Sequence, residues 1–225
     1  YKNIYKFPRT KHLINIGGAS RDDLIVSKEV KNIYFSGCNV QICEKVDGAQ
    51  LGFSMDSNYQ IFTQNRSHYV NSKSHSQFKQ LDRWIDKHQN CLLSILDENT
   101  VLYGEWLYAK HSIEYTELPD YFLAFDLFDK KSNTFYSRDI LLERLKNTQI
   151  IPVRNIYEGP IKTEKQLLDM LKLKSEYTDS IIEGIYLKIN INDKVEHRSK
   201  IVRNDFIAGN EHWSKGIITQ NKCIF

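Results

Sequence analysis

Several structural classes fall away because the sequence lacks what they need. Its four cysteines, Cys38, Cys43, Cys91 and Cys223, form no CxxC pair and no Cys/His spacing of a zinc site. They read as free thiols, which predicts an intracellular, reducing compartment, cytoplasmic or nuclear. Four prolines and ten glycines in 225 residues are too few for a collagen-like or low-complexity chain. No apolar run approaches the roughly 20 residues that cross a bilayer, so a membrane partner is not expected. An excess of one charge is also missing: 31 basic minus 28 acidic residues leaves +3, too near neutral for a histone-like polycation. There is no glycine-rich phosphate loop and no strict βαβ alternation, which disfavours Rossmann and P-loop folds. The first residue is Tyr, as expected of a processed or trimmed chain, and the opening YKNIYKFPRTKHL has no apolar signal core.

What remains is ordinary globular material, 41% hydrophobic and 12% aromatic, with neither repeats nor linker-like stretches. Gln41 to Lys45 forms an apolar strand running into the Asp47-Gly48 turn, and Leu51, Phe53 and Met55 alternate with strand period. Residues 59–63 follow an Asp56-Ser57-Asn58 turn as the hairpin partner. From Ser76, residues Phe78, Leu81, Trp84, Ile85 and His88 share one helical face. Residues 101–106 and 121–128 read as buried strands. A helix starts near Ser137, and a second has Thr163 as N-cap with Gln166 three positions on. Residues 181–189 and 195–202 are the last strands, bracketing an Asn192-Asp193 turn. Hairpins with interspersed helices predict an α+β fold of largely antiparallel sheets.

The chemistry concentrates in Glu44-Lys45-Val46-Asp47-Gly48. A strand end that points Lys45 into a cleft would lower its pKa by desolvation and free the amine as a nucleophile. The flanking acids oppose this by favouring the ammonium, so depression requires a nearby cation or metal. An ion-paired hairpin lysine on the surface is the competing reading.

This pentapeptide resembles the nucleophile motif of the covalent nucleotidyltransferases, the superfamily of ATP-dependent polynucleotide ligases and mRNA capping enzymes. Five further segments stand in that superfamily's order: Gln64-Asn65-Arg66-Ser67, Leu102 to Trp106, Phe122 to Asp126, Ile182 to Lys188 and Arg198 to Arg203. The resemblance implies a nucleotidyltransferase (ATP-grasp-like) domain with flanking helices around a nucleotide cleft. It further implies that Lys45 attacks the α-phosphate of ATP and holds AMP as a phosphoramidate, and that Lys200 stabilises charge on that phosphate. Lys200 is also a candidate for the cation that helps Lys45 lose its proton. Arg66 would brace ribose and phosphate with a forked guanidinium. Glu105 would accept bonds from ribose hydroxyls, and Phe125 would stack on adenine. Glu44, Lys188 and Arg198 are further implied nucleotide-binding positions. Without the resemblance, Arg66 reads as a surface cation, Glu105 as an ion pair and Phe125 as core. Glu183, between apolar segments, needs a cation to offset its burial: the implied Mg²⁺ or Mn²⁺, or an internal Lys or Arg. Asp47 and Arg203 are candidate nucleic-acid or phosphate contacts.

The last motif departs from the superfamily, where two lysines usually stand one residue apart; here the first is Arg198. Arg keeps the charge and would hold phosphate without serving as a general acid. After Arg203 only 22 residues remain, too few for the five-stranded OB-fold that follows in DNA ligases and capping enzymes. Either that domain was trimmed off or the chain is of the RNA-ligase type, which lacks the barrel there. The expectation is a single adenylyltransferase domain over 1–225, with residues 1–36 a lead-in packed on it and no OB-fold in this chain. The segments Phe7-Pro8-Arg9-Thr10-Lys11-His12-Leu13 and Ser20-Arg21-Asp22-Asp23-Leu24 look like those of stand-alone RNA-ligase-like proteins. The resemblance thus favours an ATP-dependent RNA ligase joining 3′-OH and 5′-phosphate RNA ends. DNA ligase, capping guanylyltransferase and a degenerate nucleotide-binding protein are the alternatives. Lys2, Lys6, Arg9, Lys11, Lys194, Arg198 and Arg203 would face the strand. The pattern offers no role for Arg9 and His12 beyond docking the N-terminal segment.

Overall fold

The computed structural model describes residues 4–21, 23–205 and 216–225. Among these described residues, ten strands fall into two sheets. The first contains β1 (Val40–Lys45), β8 (Asn155–Gly159), β9 (Gly184–Ile191) and β10 (Lys194–Val202), in the order β10-β9-β1-β8. The second runs β3-β2-β4-β5-β6, built from β2 (Ala49–Met55), β3 (Ile61–Gln64), β4 (Thr100–Trp106), β5 (Phe122–Asp129) and β6 (Thr134–Phe135). The short β7 (Ile151–Pro152) joins β5 in parallel, whereas the remaining ladders are antiparallel.

Each sheet buries its own apolar face. Phe53, Trp84, Leu92, Leu102, Phe122 and Leu141 gather where helices α2 (Leu81–Ile95) and α3 (Arg138–Leu145) cover the second sheet. Leu13, Tyr34, Ile42, Leu167, Leu187 and Ile201 form the core of the first, with α1 (Lys28–Tyr34) and α4 (Glu164–Met170) against it. A third cluster around Cys43, Leu107, Tyr115 and Val153 joins the two. The expected cap at Thr163 is present, its Oγ1 accepting from Gln166 N, and the helix expected near Ser137 proves to be capped by that residue, whose Oγ accepts from Ile140 N.

Several boundaries differ from the sequence reading. The helical face expected from Ser76 opens as a 3₁₀ turn over Ser76–Phe78, and the α-helix begins at Leu81. Tyr59 adopts a positive φ of 61° in the turn, so the third strand starts at Ile61. The strand expected from Ile181 begins at Gly184, which leaves Glu183 in the connection just ahead of it. Helix α1 and strands β6, β7 and β8 have no counterpart in the sequence reading. They are two to seven residues long, too short for periodicity to declare itself.

The N-terminal segment is woven into the first sheet. Leu13 N donates to Lys200 O and Lys200 N donates to Lys11 O, so the segment lies along the outer side of β10. His12 N donates to Leu24 O, and Val26 N donates back to His12 O. Among the described residues, no helix is long and apolar enough to cross a membrane. All four cysteines are free.

Candidate active site

The two sheets meet at a cavity of about 370 Å³. From the first sheet it receives Lys45 at the end of β1, Tyr186 on β9 and Lys200 on β10; from the second, Gln50, Glu105 and Phe125, with Arg66 from beyond β3. Register explains this convergence. Lys45 pairs with Gly184 and Tyr186 with Lys200 in one sheet, while Gln50 pairs with Glu105 in the other. Phe125 owes its position to a bulge: Tyr103 pairs with Asp126 and Gly104 with Ala124, so Phe125 is the extra residue. Two glycines in this region are fixed by close backbone approach. A Cβ on Gly184 would lie 2.3 Å from Ile201 O, and one on Gly48 2.5 Å from Trp106 O.

Lys45 Nζ donates to Glu183 Oε1 at 2.7 Å. Of the cation sources anticipated for Glu183, the described residues supply an internal one, the lysine of the nucleophile motif itself. Burial pulls the Lys45 pKa down, but Glu183 and Glu105 more than offset it, so the group sits above the usual lysine range as an ammonium. Burial pushes the Glu183 carboxyl up to about 7, against the pull of Lys45. It pushes Glu105 up to about 8, again opposed by Lys45. Glu105 Oε1 accepts from Gly48 N at 3.1 Å, tying the turn after Lys45 to the second sheet. Burial lowers the Lys200 pKa, and repulsion from Lys45 lowers it further.

The site has surplus acid. Glu183 Oε2 is buried without a hydrogen-bond partner among the described residues, and two carboxylates share one ammonium. That donor set fits a divalent cation. Among the described residues no group of three His, Cys, Asp or Glu side chains could hold a metal ion. A cation at Glu183 would complete its shell with phosphate oxygens and water.

The other implied positions divide plainly. Glu44 belongs to the cavity wall, but its carboxylate is buried and held by Ser175 Oγ, Glu176 N and Arg154. Asp47 accepts from Ser112 N and Ile113 N and does not line the cavity, so it anchors the 111–113 loop. Lys188 is fully buried against Asp126 and donates to Phe125 O. Tyr186 Oη donates to the same Asp126. Arg203 bonds Ile182 O and Asp205. Arg198 grips the N-terminal segment. Lys188, Arg198 and Arg203 do not line the cavity either.

Of the cations expected to face a strand, Lys6 and Arg9 line the cavity. Arg9, Lys11 and Arg198 line a second groove of about 240 Å³ with Glu196 and His197. Lys194 pairs with Asp129. Lys2 and Asp22 lie outside the described residues.

Beyond Lys6 and Arg9, the sequence reading missed the N-terminal contribution to the wall: Phe7, Pro8, Thr10, Asp23 and Leu24. Its signal was the apolar-aromatic-basic run at 5–13, noted without an assigned task. His12 is buried, its Nε2 3.3 Å from Asp23 Oδ2. Burial and then Lys200 lower its pKa.

The fold is similar to solved structures of Naegleria gruberi RNA ligase. The form with PPi has a TM-score of 0.62 at 16% identity, and a variant with ATP and Mn has 0.64 at 15%. A variant with AMP and Mn gives 0.63 at 15%. Each match covers 89% of this chain and 56% of the other, so the chain spans little more than half the length of these proteins. A search of curated proteins finds no match. A family model described as RNA ligase matches residues 39–202, from the residue before β1 to the end of β10. That span takes in both sheets and the cavity-lining residues from Glu44 to Lys200, and by it the chain belongs to the RNA ligase family.

Proposed function

We propose that this chain is the nucleotidyl-transfer domain of an ATP-dependent RNA ligase. The observation that carries the reading is the Lys45 amine at the cavity, 2.7 Å from a buried glutamate whose other oxygen has no hydrogen-bond partner among the described residues. An amine held by acids rests as the ammonium, and bringing phosphates and a divalent cation onto Glu183 would release it. When bound, the cation supplies positive charge to the triphosphate and competes for the carboxylate.

Lys45 Nζ, its proton passed to water, then attacks the α-phosphorus. An N–P bond forms, the P–O bond to the β-phosphate breaks and pyrophosphate leaves with the electron pair. Lys200 lies within electrostatic range of Lys45 and Glu183 and would stabilise charge on the α-phosphate. Phe125 would receive the base, Glu105 the ribose hydroxyls and Arg66 the ribose and phosphate edge. An oxygen of the RNA 5′-phosphate next attacks the lysine-bound phosphorus and releases the amine. Finally a 3′-hydroxyl attacks the 5′-phosphorus, seals the phosphodiester and expels AMP.

Incubation with α-labelled ATP or GTP and Mg²⁺ or Mn²⁺, followed by denaturing electrophoresis, tests the first step. Label from ATP on the wild type and none on Lys45→Ala is the expected result. A wild type that takes no label with either metal would refute the enzymatic reading. Nicked duplexes with RNA or DNA at the 3′-hydroxyl then separate RNA from DNA joining, and sealing of the RNA end is expected.

A further inference from the structure

The N-terminal segment forms part of the cavity wall through Lys6, Phe7, Pro8, Arg9 and Thr10. It is fastened at several points. Gln64 Nε2 donates to Tyr5 O at 2.7 Å, and Tyr103 Oη donates to the same carbonyl. The Phe7 ring lies 5.0 Å from Tyr103, 5.2 Å from Phe135 and 5.5 Å, edge-on, from Phe125. The densest attachment is Arg198. Its guanidinium donates to Thr10 Oγ1 at 2.6 Å, to Arg9 O at 3.1 Å and to Pro8 O, and stands over the rings of Phe7 and Phe135.

Arg198 and Lys200 are two apart on one strand and share a face. Lys200 opens onto the cavity, but the N-terminal segment lies over Arg198. A planar fork that bonds several acceptors while stacking on two rings is arginine chemistry that a lysine ammonium does not reproduce. We propose that Arg198 is a positioning residue for the nucleotide: it sets ATP affinity by clamping Phe7–Thr10 into the cleft wall, not by touching phosphate. The proposal rests on the nucleotide reading of the cavity given above.

The test uses the full chain as wild type, Arg198→Ala, Arg198→Lys and Phe7→Ala. Hydrogen exchange of the peptide covering residues 4–10 reads the clamp. ATP affinity by calorimetry, and the KM and maximal rate of self-labelling, read its consequence. Arg198→Ala should speed exchange over 4–10 and weaken ATP binding by about tenfold, with the loss falling on KM more than on maximal rate. Phe7→Ala should reproduce the affinity loss with Arg198 in place. Arg198→Lys is decisive, because a cation that merely meets phosphate would be largely rescued by lysine. A clamp would not, so the Lys variant should resemble the Ala variant. Rescue by lysine, unchanged exchange over 4–10, or a loss confined to maximal rate would each overturn the proposal. A wild type that binds no ATP removes the nucleotide reading and the proposal with it. A wild type that binds ATP as tightly as Arg198→Ala removes the proposal alone.

Discussion

Replacing Lys45 with methionine removes the ammonium shared by the buried Glu183 and the half-buried Glu105. At 2.7 Å and an effective dielectric of ~20, the Lys45–Glu183 attraction is ~6 kcal/mol before desolvation is subtracted. Removing one partner of a fully buried pair typically costs ~3–5 kcal/mol. The Lys45 side chain is 30% exposed, which discounts that figure to ~2 kcal/mol at pH 8. The loss also has a ceiling, because Glu183 can neutralise itself by binding a proton. From an ordinary value of 4.5, that proton costs ~5 kcal/mol at pH 8 and ~0.7 at pH 5. The folded pKa of Glu183, about 7, lies above the unfolded value. The folded state therefore holds more protons between the two values, and its stability falls as pH rises through that window. At pH 5 the carboxyl is already neutral and the pair contributes little. Lys45→Met should thus lower the melting temperature by ~4–8 °C at pH 8 and by ~1–2 °C at pH 5, measured by calorimetry without nucleotide or metal. An equal loss at both values, or a larger one at pH 5, would refute the electrostatic account. The experiment is independent of any activity.

Two other substitutions probe the frame around the cavity. Lys188→Met leaves the fully buried Asp126 carboxylate without a counter-charge, held by the Tyr186 hydroxyl alone, and should cost ~3–5 kcal/mol in urea unfolding; a loss below ~1 kcal/mol would show that the hydroxyl suffices or that another cation takes over. Gly184→Ala places a methyl 2.3 Å from Ile201 O, which pushes β9 from β10 beside Lys45. A fall of several kcal/mol in stability is expected from such overpacking, and an unchanged melting temperature would contradict the close packing.

Much of the fold was legible because the long elements carry their own signals. Leu51, Phe53 and Met55 alternate, Leu81, Trp84 and His88 keep one helical face, and Thr163 caps where a helix must start. The short elements escaped because tertiary contacts, not local pattern, define them. Strand β8 is half exposed and follows from its pairing with β1. Helix α1 has seven residues and depends on Ser27 and on packing over the first sheet. The candidate site was legible chiefly as a resemblance. Composition and spacing alone left Arg66, Glu105 and Phe125 with ordinary structural readings; the second sheet gathers these three, and only the meeting of two sheets sets them opposite Lys45 and Lys200 in one cavity.

The implied positions that do not reach the cavity carry the same lesson in electrostatic form. A charged residue in a strand declares its charge but not its partner, since partners are fixed by register across elements far apart in sequence. Asp47 meets Ser112 and Ile113 across more than sixty residues, and Lys188 meets Asp126 across a similar span. Each buried charge holds the strand next to one that faces the cavity. Lys188 donates to Phe125 O, fixing the bulge that turns the Phe125 ring inward. Asp47 holds the 111–113 loop beside the turn that joins Lys45 to Glu105. A motif can therefore contain charges that frame a site beside charges that line it, and a linear pattern does not distinguish them. What separates the classes here is neutralisation by protein. Asp47, Lys188 and Arg203 are satisfied within the chain, whereas Glu183 keeps a buried oxygen with no hydrogen-bond partner among the described residues, beside a lysine amine. A satisfied charge has little left to offer a ligand. An unsatisfied one marks where a charged ligand would gain most, and that is the corner where Lys45 stands.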